Sequence, residues 1–302
     1  MLRRSITLSA PALFVFLWST GFIGMKFAAP YAEPLTFLAW RFAIVAAIMT
    51  SVALLTRAPW PRSRRQFLHA AVAGILLQAV YLGGVYESLV HGLSTGTSSL
   101  IASMQPVLVA AIAGPLLGER LVRRQWLGIG FGVVGVLLVV GGSLRVGSAQ
   151  GTLEALAGLL GITAGTLWQK RFCADLDLRT GSAVQFGAAA LVCLLGAGMF
   201  EEGRMGWNGQ VVFAMAWLVL VLSLGAISLL FTMIREGQVA RVSALFFLVP
   251  PVTALLGWLL FGEQLGWGDL AGMALSAVGV ALVSRRPPPP ALASPGAPAR
   301  WS

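Results

Sequence analysis

The architecture follows from two related stretches, LLGERLVRRQWLGIGFGVVGV at residues 116–136 and LFGEQLGWGDLAGMALSAVGV at residues 260–280. They lie 144 residues apart and agree at several glycines and at one glutamate, Glu119 in the first and Glu263 in the second. The arginines of the first stretch have no counterpart in the second: Arg120, Arg123 and Arg124 become Gln264, Trp267 and Gly268. A repeat that keeps its glycines and loses its positive charges indicates two copies in different surroundings.

The composition places the chain in a lipid bilayer. Of its 302 residues, 57% are hydrophobic and 11% are charged, whereas soluble globular proteins carry about 25% charged residues. The net charge of +10 does not indicate a nucleic-acid partner, because the arginines lie in short gaps between apolar runs and not on one basic face. We therefore expect the lipid bilayer to cover most of the surface.

Ten apolar runs are candidates for transmembrane helices, which need about 20 residues to cross a bilayer. Turn-prone segments such as PYAEP and EEGRMGWNG separate the runs. Each run is continuously apolar, unlike the alternating strands of a membrane barrel. We therefore predict an all-α polytopic membrane protein with ten transmembrane helices. The runs are roughly residues 10–28, 35–55, 68–89, 94–117, 125–142, 152–171, 179–199, 210–233, 240–261 and 266–284.

The basic residues give the direction of the helices. With a cytoplasmic N-terminus, 17 of the 21 lysines and arginines fall in inner loops and termini, and two, Arg145 and Arg204, fall in outer loops. Because cytoplasmic loops are rich in lysine and arginine, we predict a multi-pass protein of the cytoplasmic (inner) membrane with both termini in the cytoplasm. Five helices per repeat is an odd number, so the second repeat crosses in the opposite direction. Its copy of the arginine-rich loop then faces outside.

The chain is predicted to divide into two inverted five-helix repeats, residues 1–144 and 145–286, followed by a tail at 287–302. The tail, PPPPALASPGAPARWS, is rich in proline and cannot form a core, so we predict a disordered cytoplasmic segment. Glu119 and Glu263 lie on opposite sides of the membrane in this arrangement. We therefore predict a local role for each, as a carboxylate at the amino end of the next helix.

Inverted repeats are typical of carriers that work by alternating access, with the substrate site near the membrane midplane. Pro106 and Pro250 lie midway along runs four and nine, at repeat-equivalent positions. A proline inside a helix frees the carbonyl four residues earlier, here that of Ala102 or Phe246, and a wet cavity tolerates such a group. Both prolines are therefore cavity candidates, with a kinked packing helix as the alternative.

Aromatic and hydroxyl side chains recur on the same runs and are further candidates for substrate contact. Many aromatic residues of membrane proteins face the lipid interface instead, which is the alternative for each of them. The substrate-binding candidates are Trp18, Phe22, Tyr81, Tyr86, Ser103, Pro106, Thr163, Trp168 and Pro250.

The chain has only two lysines, Lys26 and Lys170, and they are separated by the repeat spacing of 144 residues. Inversion places Lys26 towards the outside and Lys170 towards the cytoplasm. A compact ammonium that pairs with a carboxylate, or loses its proton when buried, differs from a fixed guanidinium fork. We predict that the two lysines act at two gates; snorkelling to the membrane interface is the alternative.

Charged side chains in the outer half of the membrane form another candidate group, because charges at such depth are costly and usually paired or functional. Arg41 lies about two turns into run two, and Glu87 and His91 lie one turn apart on one face of run three. Glu87 is a candidate for proton coupling, in which His91 would share the titration. A static ion pair of Glu87 with Arg41 or Lys26 is the alternative.

Catalytic motifs are absent from the sequence. It has two histidines and three aspartates, and it contains no metalloprotease motif, no nucleophile elbow and no phosphate-binding loop. We therefore predict no enzymatic activity, no metal and no cofactor, and a small molecule as the transported substrate. A membrane-embedded enzyme or a channel is the alternative class.

The pattern resembles the EamA-type members of the drug/metabolite transporter superfamily over about residues 10–284. The resemblance rests on WSTGFIGMK (18–26), EPLTFLAWRF (33–42), the stretch 86–121 and its repeat copy SALFFLVPPVTALLGWLLFGEQL (243–265). It implies a secondary transporter for amino acids or similar small metabolites or drugs, most often an exporter. It also implies that segments one, three, four, six, eight and nine line the cavity. We expect a monomer or a homodimer.

Overall fold

The computed structural model describes residues 2–117, 123–145, 149–226, 248–264 and 266–284. These residues form helices joined by turns, and their one β feature is an isolated bridge between Ala32 and Met205. In chain order the helices are α1 Leu2–Ala28, α2 Pro34–Leu55, α3 Arg64–Val90, α4 in two pieces (Thr95–Ser103 and Gln105–Leu117), α5 Arg123–Arg145, α6 Ala149–Phe172, α7 Leu178–Phe200, α8 as Gly209–Ala216 and Trp217–Ala226, α9 Val249–Phe261 and α10 Trp267–Ser284.

Three of these helices, α2, α3 and α7, are long and apolar enough to cross a membrane, judged by length and composition. Shorter apolar helical segments lie in α1, α8 and α9. The predicted all-helical, apolar architecture is confirmed for the described residues. The count of ten crossings and the inversion of the second repeat stay predictions, and the proline-rich tail lies outside the described residues.

Capping side chains define several helix starts. The Ser94 hydroxyl accepts the N–H of Thr97 at 3.1 Å before α4, and the Asn208 side chain accepts the N–H of Val211 at 2.9 Å before α8. At the other end of α9, Gly262 adopts a φ of 66°, a left-handed conformation that glycine adopts without steric cost. These caps stop α9 and start α4 and α8 at defined residues.

Neither candidate proline lies in a helix interior among the described residues. α4 is interrupted at Met104, and Pro106 is the second residue of the piece that follows. Pro250 is likewise the second residue of α9. Proline is favoured in the first turn of a helix, because the N–H that it lacks would have no intrahelical acceptor there. The sequence expectation of a mid-helix proline is therefore corrected for Pro106, which begins a helical piece. For Pro250 the expectation also concerns residues 240–247, which lie outside the described residues.

Two helices contain π-helical stretches, Ile75–Val80 in α3 and Trp217–Ala226 in α8. At the repeat spacing of 144 residues, the first stretch maps onto residues 219–224, which lie within the second. π-helical turns are rare and occur frequently at functional sites. Both stretches contribute residues to the cavity described below.

Helices α5 and α10 pack against each other through glycines, which allow the two backbones to approach closely. A methyl group on Gly135 would lie 2.7 Å from the carbonyl oxygen of Gly272, and one on Gly279 would lie 2.6 Å from that of Gly128. Gly128 and Gly272 are 144 residues apart, as are Gly135 and Gly279. The contact is therefore reciprocal between the two sequence halves.

We expect the Gly135→Ala variant to be less stable than the wild type, because its methyl group would overlap the backbone of α10. Overpacking of this kind costs about 1–3 kcal/mol. Gly130→Ala is the matched control on α5, since a methyl group there meets no atom within 4 Å. Alanine also favours a helix over glycine by about 0.5–1 kcal/mol. Thermal unfolding in detergent should show a lower midpoint for Gly135→Ala alone, and equal midpoints would contradict the close contact.

Candidate functional site

A cavity of about 300 Å³ lies between helices of the two sequence halves. This volume is at the lower end of the range of small-molecule sites. Helices α1, α2 and α3 contribute from the first half, and α6, α7 and α8 contribute from the second. Aromatic side chains form part of its wall, and they are Trp18, Phe22, Tyr81 and Phe186.

One end of the cavity reaches the connection between α6 and α7, where Asp177 and Gly181 line it. Asp177 caps α7 by accepting the N–H of Arg179 at 2.9 Å, and it also pairs with the Arg179 guanidinium at 2.8 Å. The side-chain hydrogen bond from Arg179 holds the pKa of the Asp177 carboxyl below its usual value. This end of the cavity, which we call its mouth, therefore carries the charges of Asp177 and Arg179.

An ion pair involving Lys26 lies at the other end, one residue beyond the lining residue Met25. The Lys26 Nζ is 3.8 Å from Oε1 of Glu263 and donates to the carbonyl oxygen of Leu89 at 3.4 Å. Oε2 of Glu263 accepts from the N–H and the hydroxyl of Thr95 at 2.9 and 2.7 Å. One carboxylate thus joins α1, the start of α4 and the end of α9.

Glu263 serves a different helix from the one expected. The sequence places it before α10, but Asp269 accepts the N–H of Gly266 there at 2.9 Å. Glu263 instead binds the amino end of α4, which lies 168 residues away in the chain. A carboxylate is stabilised at the amino end of any helix that folding brings close to it. The nearest helix in the sequence is therefore not necessarily the one that it binds. Glu119, its repeat equivalent, lies outside the described residues.

Arg41 lies in the cavity wall, and its side chain is only 3% exposed. Its Nη2 donates a long hydrogen bond of 3.4 Å to the Ser223 hydroxyl. Its Nε and Nη1 have no hydrogen-bond partner within the part of the chain that the structure describes. Neither alternative ion pair of Glu87 forms among the described residues: Lys26 pairs with Glu263, the Arg41 side chain forms no ion pair, and Glu87 lies 3.9 Å from His91.

Four of the sequence candidates, Trp18, Phe22, Tyr81 and Arg41, line the cavity. Tyr86 was a further candidate but lies in the core. It is fully buried, its ring packs edge-to-face on Phe37 at 5.5 Å, and its hydroxyl donates to the carbonyl oxygen of Ala32 at 3.4 Å. A buried tyrosine finds a partner for its hydroxyl wherever packing places it, and sequence alone does not show where.

The hydroxyl and proline candidates also lie outside the cavity lining. Ser103 and Thr163 donate to carbonyl oxygens of their own helices, those of Leu100 and Leu159, each at 2.7 Å. These local bonds satisfy the hydroxyl groups without any ligand. Pro106 begins a helical piece, as described above, and neither it nor Pro250 belongs to the lining.

Trp168 belongs to an aromatic group beside the cavity rather than to its lining. Its ring lies 5.5 Å from that of His69 and 4.7 Å from that of Phe172, and the His69 and Phe172 rings stack at 4.5 Å. Lys170, two residues further on, is exposed and forms no ion pair with a described residue. The two lysines therefore differ, since only Lys26 is paired with a carboxylate in the described residues.

Glu87 and His91 form a cluster with the amino end of α6. His91 Nδ1 lies 2.8 Å from Oε2 of Glu154 and 3.9 Å from Oε2 of Glu87. The side-chain nitrogen of Gln150 lies 3.1 Å from His91 Nε2 and donates to Glu154 at 3.1 Å. Glu87, His91 and Glu154 are spaced closely enough to hold a metal ion, but each ring nitrogen of His91 already has a protein partner. The cluster ties α3 to α6.

Three glutamines of the cavity wall were not among the predicted site residues: Gln78, Gln169 and Gln185. Gln185 donates to Gln169 at 2.9 Å, which links α7 to α6 across the wall. Gln78 and Gln185 each interrupt an apolar run, and that interruption is the signal by which sequence analysis could have found them, whereas Gln169 ends its run directly before Lys170. A glutamine in a membrane helix needs a protein partner or a wet cavity.

Both halves of the chain match the sequence profile of the EamA-like transporter family, at residues 6–141 and 150–285. The chain therefore belongs to the EamA-like transporter family, and it is a membrane transporter. Relatives of nearly the same length include YvbV, an uncharacterized transporter of Bacillus subtilis strain 168. It is 25% identical over 286 residues, which is 91% of this chain and 90% of that protein.

Two further similar proteins carry more descriptive names. YedA, an uncharacterized inner membrane transporter of Escherichia coli K12, is 24% identical over 90% of this chain and 88% of its own length. A protein of Salmonella typhimurium LT2, named a probable amino-acid metabolite efflux pump, is 23% identical over 89% of this chain and 91% of its own length. A solved crystal structure matches with a TM-score of 0.61 at 20% identity, covering 93% of this chain and 97% of the other. It supports the fold alone.

The Ser182→Cys variant should react with a small thiol reagent in purified protein, because Ser182 lines the cavity near its mouth. The wild type provides the background. Its two cysteines, Cys173 and Cys193, are free and buried, and burial raises the pKa of the Cys173 thiol, which lowers its thiolate fraction. Ser98→Cys is the control, since Ser98 is fully buried against Ser88 at 2.9 Å. Equal labelling of the three proteins would contradict an accessible cavity.

Proposed function

We propose that the chain is a secondary transporter of the cytoplasmic membrane that exports amino acids or similar small metabolites or drugs by alternating access. The observation that carries the proposal is the cavity between the two sequence halves. It reaches the α6–α7 connection, and the Lys26–Glu263 ion pair lies one residue along α1 beyond the lining residue Met25. A carrier must expose its site to one side at a time, and a closure at one end of the site fits that requirement.

Two inverted five-helix repeats, residues 1–144 and 145–286, are part of the proposal. The reciprocal contacts of Gly135 with Gly272 and of Gly279 with Gly128 support it, because two-fold related elements contact each other in such matched pairs. The repeat-equivalent π-helical stretches of α3 and α8 support it as well. We propose ten membrane crossings with both termini, including the tail at 287–302, in the cytoplasm.

The cytoplasmic orientation gives the cavity a direction. The α6–α7 connection, with Lys170, Arg171 and Arg179, would lie on the cytoplasmic side, and the Lys26–Glu263 pair would close the outer side. The described conformation is then inward-facing.

The name of the Salmonella relative supports export and an amino-acid-like cargo. We also propose that Glu87 and His91 couple transport to proton movement. The proposed transport cycle includes no enzymatic step and no cofactor.

Counterflow in proteoliposomes tests the transport proposal. Vesicles are loaded with one unlabelled amino acid at a time, and accumulation of the same labelled compound, recovered chemically unchanged, is measured. We expect at least one amino acid to accumulate, with an apparent affinity that Trp18→Phe lowers, because Trp18 lines the cavity. Trp258→Phe is the matched control, since Trp258 is 58% exposed on α9 and lies outside the lining. The absence of counterflow for every amino acid would refute the proposed cargo.

Removal of the Lys26–Glu263 pair should favour the outward-facing state. With Met25→Cys as the reporter, we expect Lys26→Met or Glu263→Gln to raise the rate of labelling by an impermeant thiol reagent added to intact cells. If the ion pair stabilises the inward-facing state by about 1–3 kcal/mol, its removal raises the ratio of outward-facing to inward-facing protein about 5- to 150-fold. Lys170→Met should not raise this rate, because Lys170 is the proposed inner counterpart.

Two further cysteines control the side of labelling. Glu202→Cys lies in the proposed outer connection and should label in intact cells, whereas Arg62→Cys lies in the proposed inner one and should not. If the first is protected and the second reacts, the orientation is reversed. If neither Lys26→Met nor Glu263→Gln changes the reporter, the ion pair is an anchor and not a gate.

A further inference from the structure

The cavity wall holds a positive charge that no described residue neutralises. Arg41 lies in the second turn of α2, is 3% exposed, and is one of the residues that line the cavity. Its contacts are a long hydrogen bond of 3.4 Å to the Ser223 hydroxyl and the ring of Phe42, whose centroid lies 5.8 Å from Cζ. Within the described residues, Nε and Nη1 are buried without any acceptor.

A guanidinium keeps its charge in proteins, so it cannot escape this situation by losing a proton. Buried charges are normally paired, because an uncompensated one is strongly unfavourable. The described carboxylates near the membrane region have partners elsewhere. Glu263 pairs with Lys26, Glu154 with His91, and Glu201 with the start of α2. Asp177, which lines the same cavity, pairs with Arg179 at 2.8 Å, and Glu87 lies 3.9 Å from His91. None of them forms an ion pair with Arg41.

The remainder of the wall defines what else a ligand must present. Aromatic rings of Trp18, Phe22, Tyr81 and Phe186 line the cavity, and Gln78 and Gln185 add neutral amides. Such a wall fits an apolar or aromatic body with one charged group. The volume of about 300 Å³ restricts that body to a small molecule.

We propose that Arg41 binds the carboxylate of a small, monoanionic organic acid whose apolar or aromatic body lies against the rings of the cavity. This proposal rests on the proposed transport function and names the substrate class of its site. A carboxylate matches the planar donors of a guanidinium, and the Ser223 hydroxyl lies next to the same group. One negative charge neutralises one guanidinium, whereas a phosphate dianion would bring a second charge into a wall that offers no second cation among the described lining residues.

A ligand pair of one shape and different charge tests the proposal. Phenylacetate and phenylacetamide are titrated into purified protein in detergent, with tryptophan fluorescence as the readout because Trp18 lines the cavity. We expect the wild type to bind phenylacetate at least tenfold more tightly than phenylacetamide. A site built to bond one polar group discriminates against the analogue that lacks it.

Three variants assign the preference to Arg41. Arg41→Gln should bind the two probes with similar affinity, with phenylacetamide affinity little changed. Arg41→Lys should keep part of the preference, because the charge remains while the planar fork is lost. Arg62→Gln, at an exposed arginine outside the cavity, should behave as the wild type.

Three outcomes would overturn the proposal. They are a wild type that does not bind phenylacetate more tightly than phenylacetamide, a preference that survives Arg41→Gln, and loss of folded protein in both Arg41 variants. The last would mark Arg41 as a residue needed for folding rather than for binding. Counterflow with vesicles loaded with phenylacetate, beside the amino-acid panel, separates this proposal from the transport function. Counterflow of an amino acid without charge preference in binding refutes the carboxylate site alone, and charge preference without counterflow of phenylacetate or any amino acid refutes transport alone.

Discussion

In an apolar environment each charged or polar group must find its partner inside the protein, and this constraint organises the described part of the molecule. Glu201, at the end of α7, illustrates it. Its carboxylate accepts the N–H groups of Leu35 and Thr36 and the Thr36 hydroxyl, each at 2.7 Å. These are free donors of the first turn of α2, which water would satisfy in a soluble protein. One carboxylate therefore satisfies a helix start and also fixes α2 against α7. Glu263 does the same for α4 and α9, with Lys26 as a third partner.

Packing between the helices follows a second rule, because lipid removes the hydrophobic drive that joins helices in water. Close approach then depends on small side chains, and α5 and α10 meet backbone to backbone at their glycines. Neither helix contributes to the cavity wall. The helices that do contribute also approach one another at glycines, since a methyl group on Gly84 of α3 would lie 2.9 Å from the Cα of Gly158 of α6. Rings and amides occupy other positions of the same helices, and these side chains line the cavity.

Sequence reasoning recovered what depends on composition and periodicity. The helical class, the apolar runs and the family resemblance follow from runs of about 20 residues and from quoted motifs, and the profile match confirms the family. Four site candidates, Trp18, Phe22, Tyr81 and Arg41, lie in the cavity wall. Tyr86 does not, because the direction of a side chain on a buried helix is set by its neighbours and not by residue type.

The missed partnerships share one physical cause. Glu263 with Thr95, and Glu154 with His91, join residues that lie 168 and 63 positions apart. Pairings at such distances depend on which helices become neighbours, and the pattern of a single sequence does not contain that information. Gln78 and Gln185 were visible as interruptions of apolar runs. The convergence of the wall glutamines on one space, as in the bond between Gln185 and Gln169, required the fold.

The charge of Arg41 also bears on how an alternating-access carrier would select the moment of closure. If a carboxylate binds there, the occupied cavity holds a neutral pair, whereas the unoccupied cavity holds a bare guanidinium that water must solvate. Closing the cavity removes that water, so closure is more costly without the anion than with it. A ligand shifts a conformational equilibrium only through a difference in its interaction with the two states. Neutralisation of a buried charge supplies such a difference, and it needs no contact between the substrate and the Lys26–Glu263 pair at the far end of the cavity.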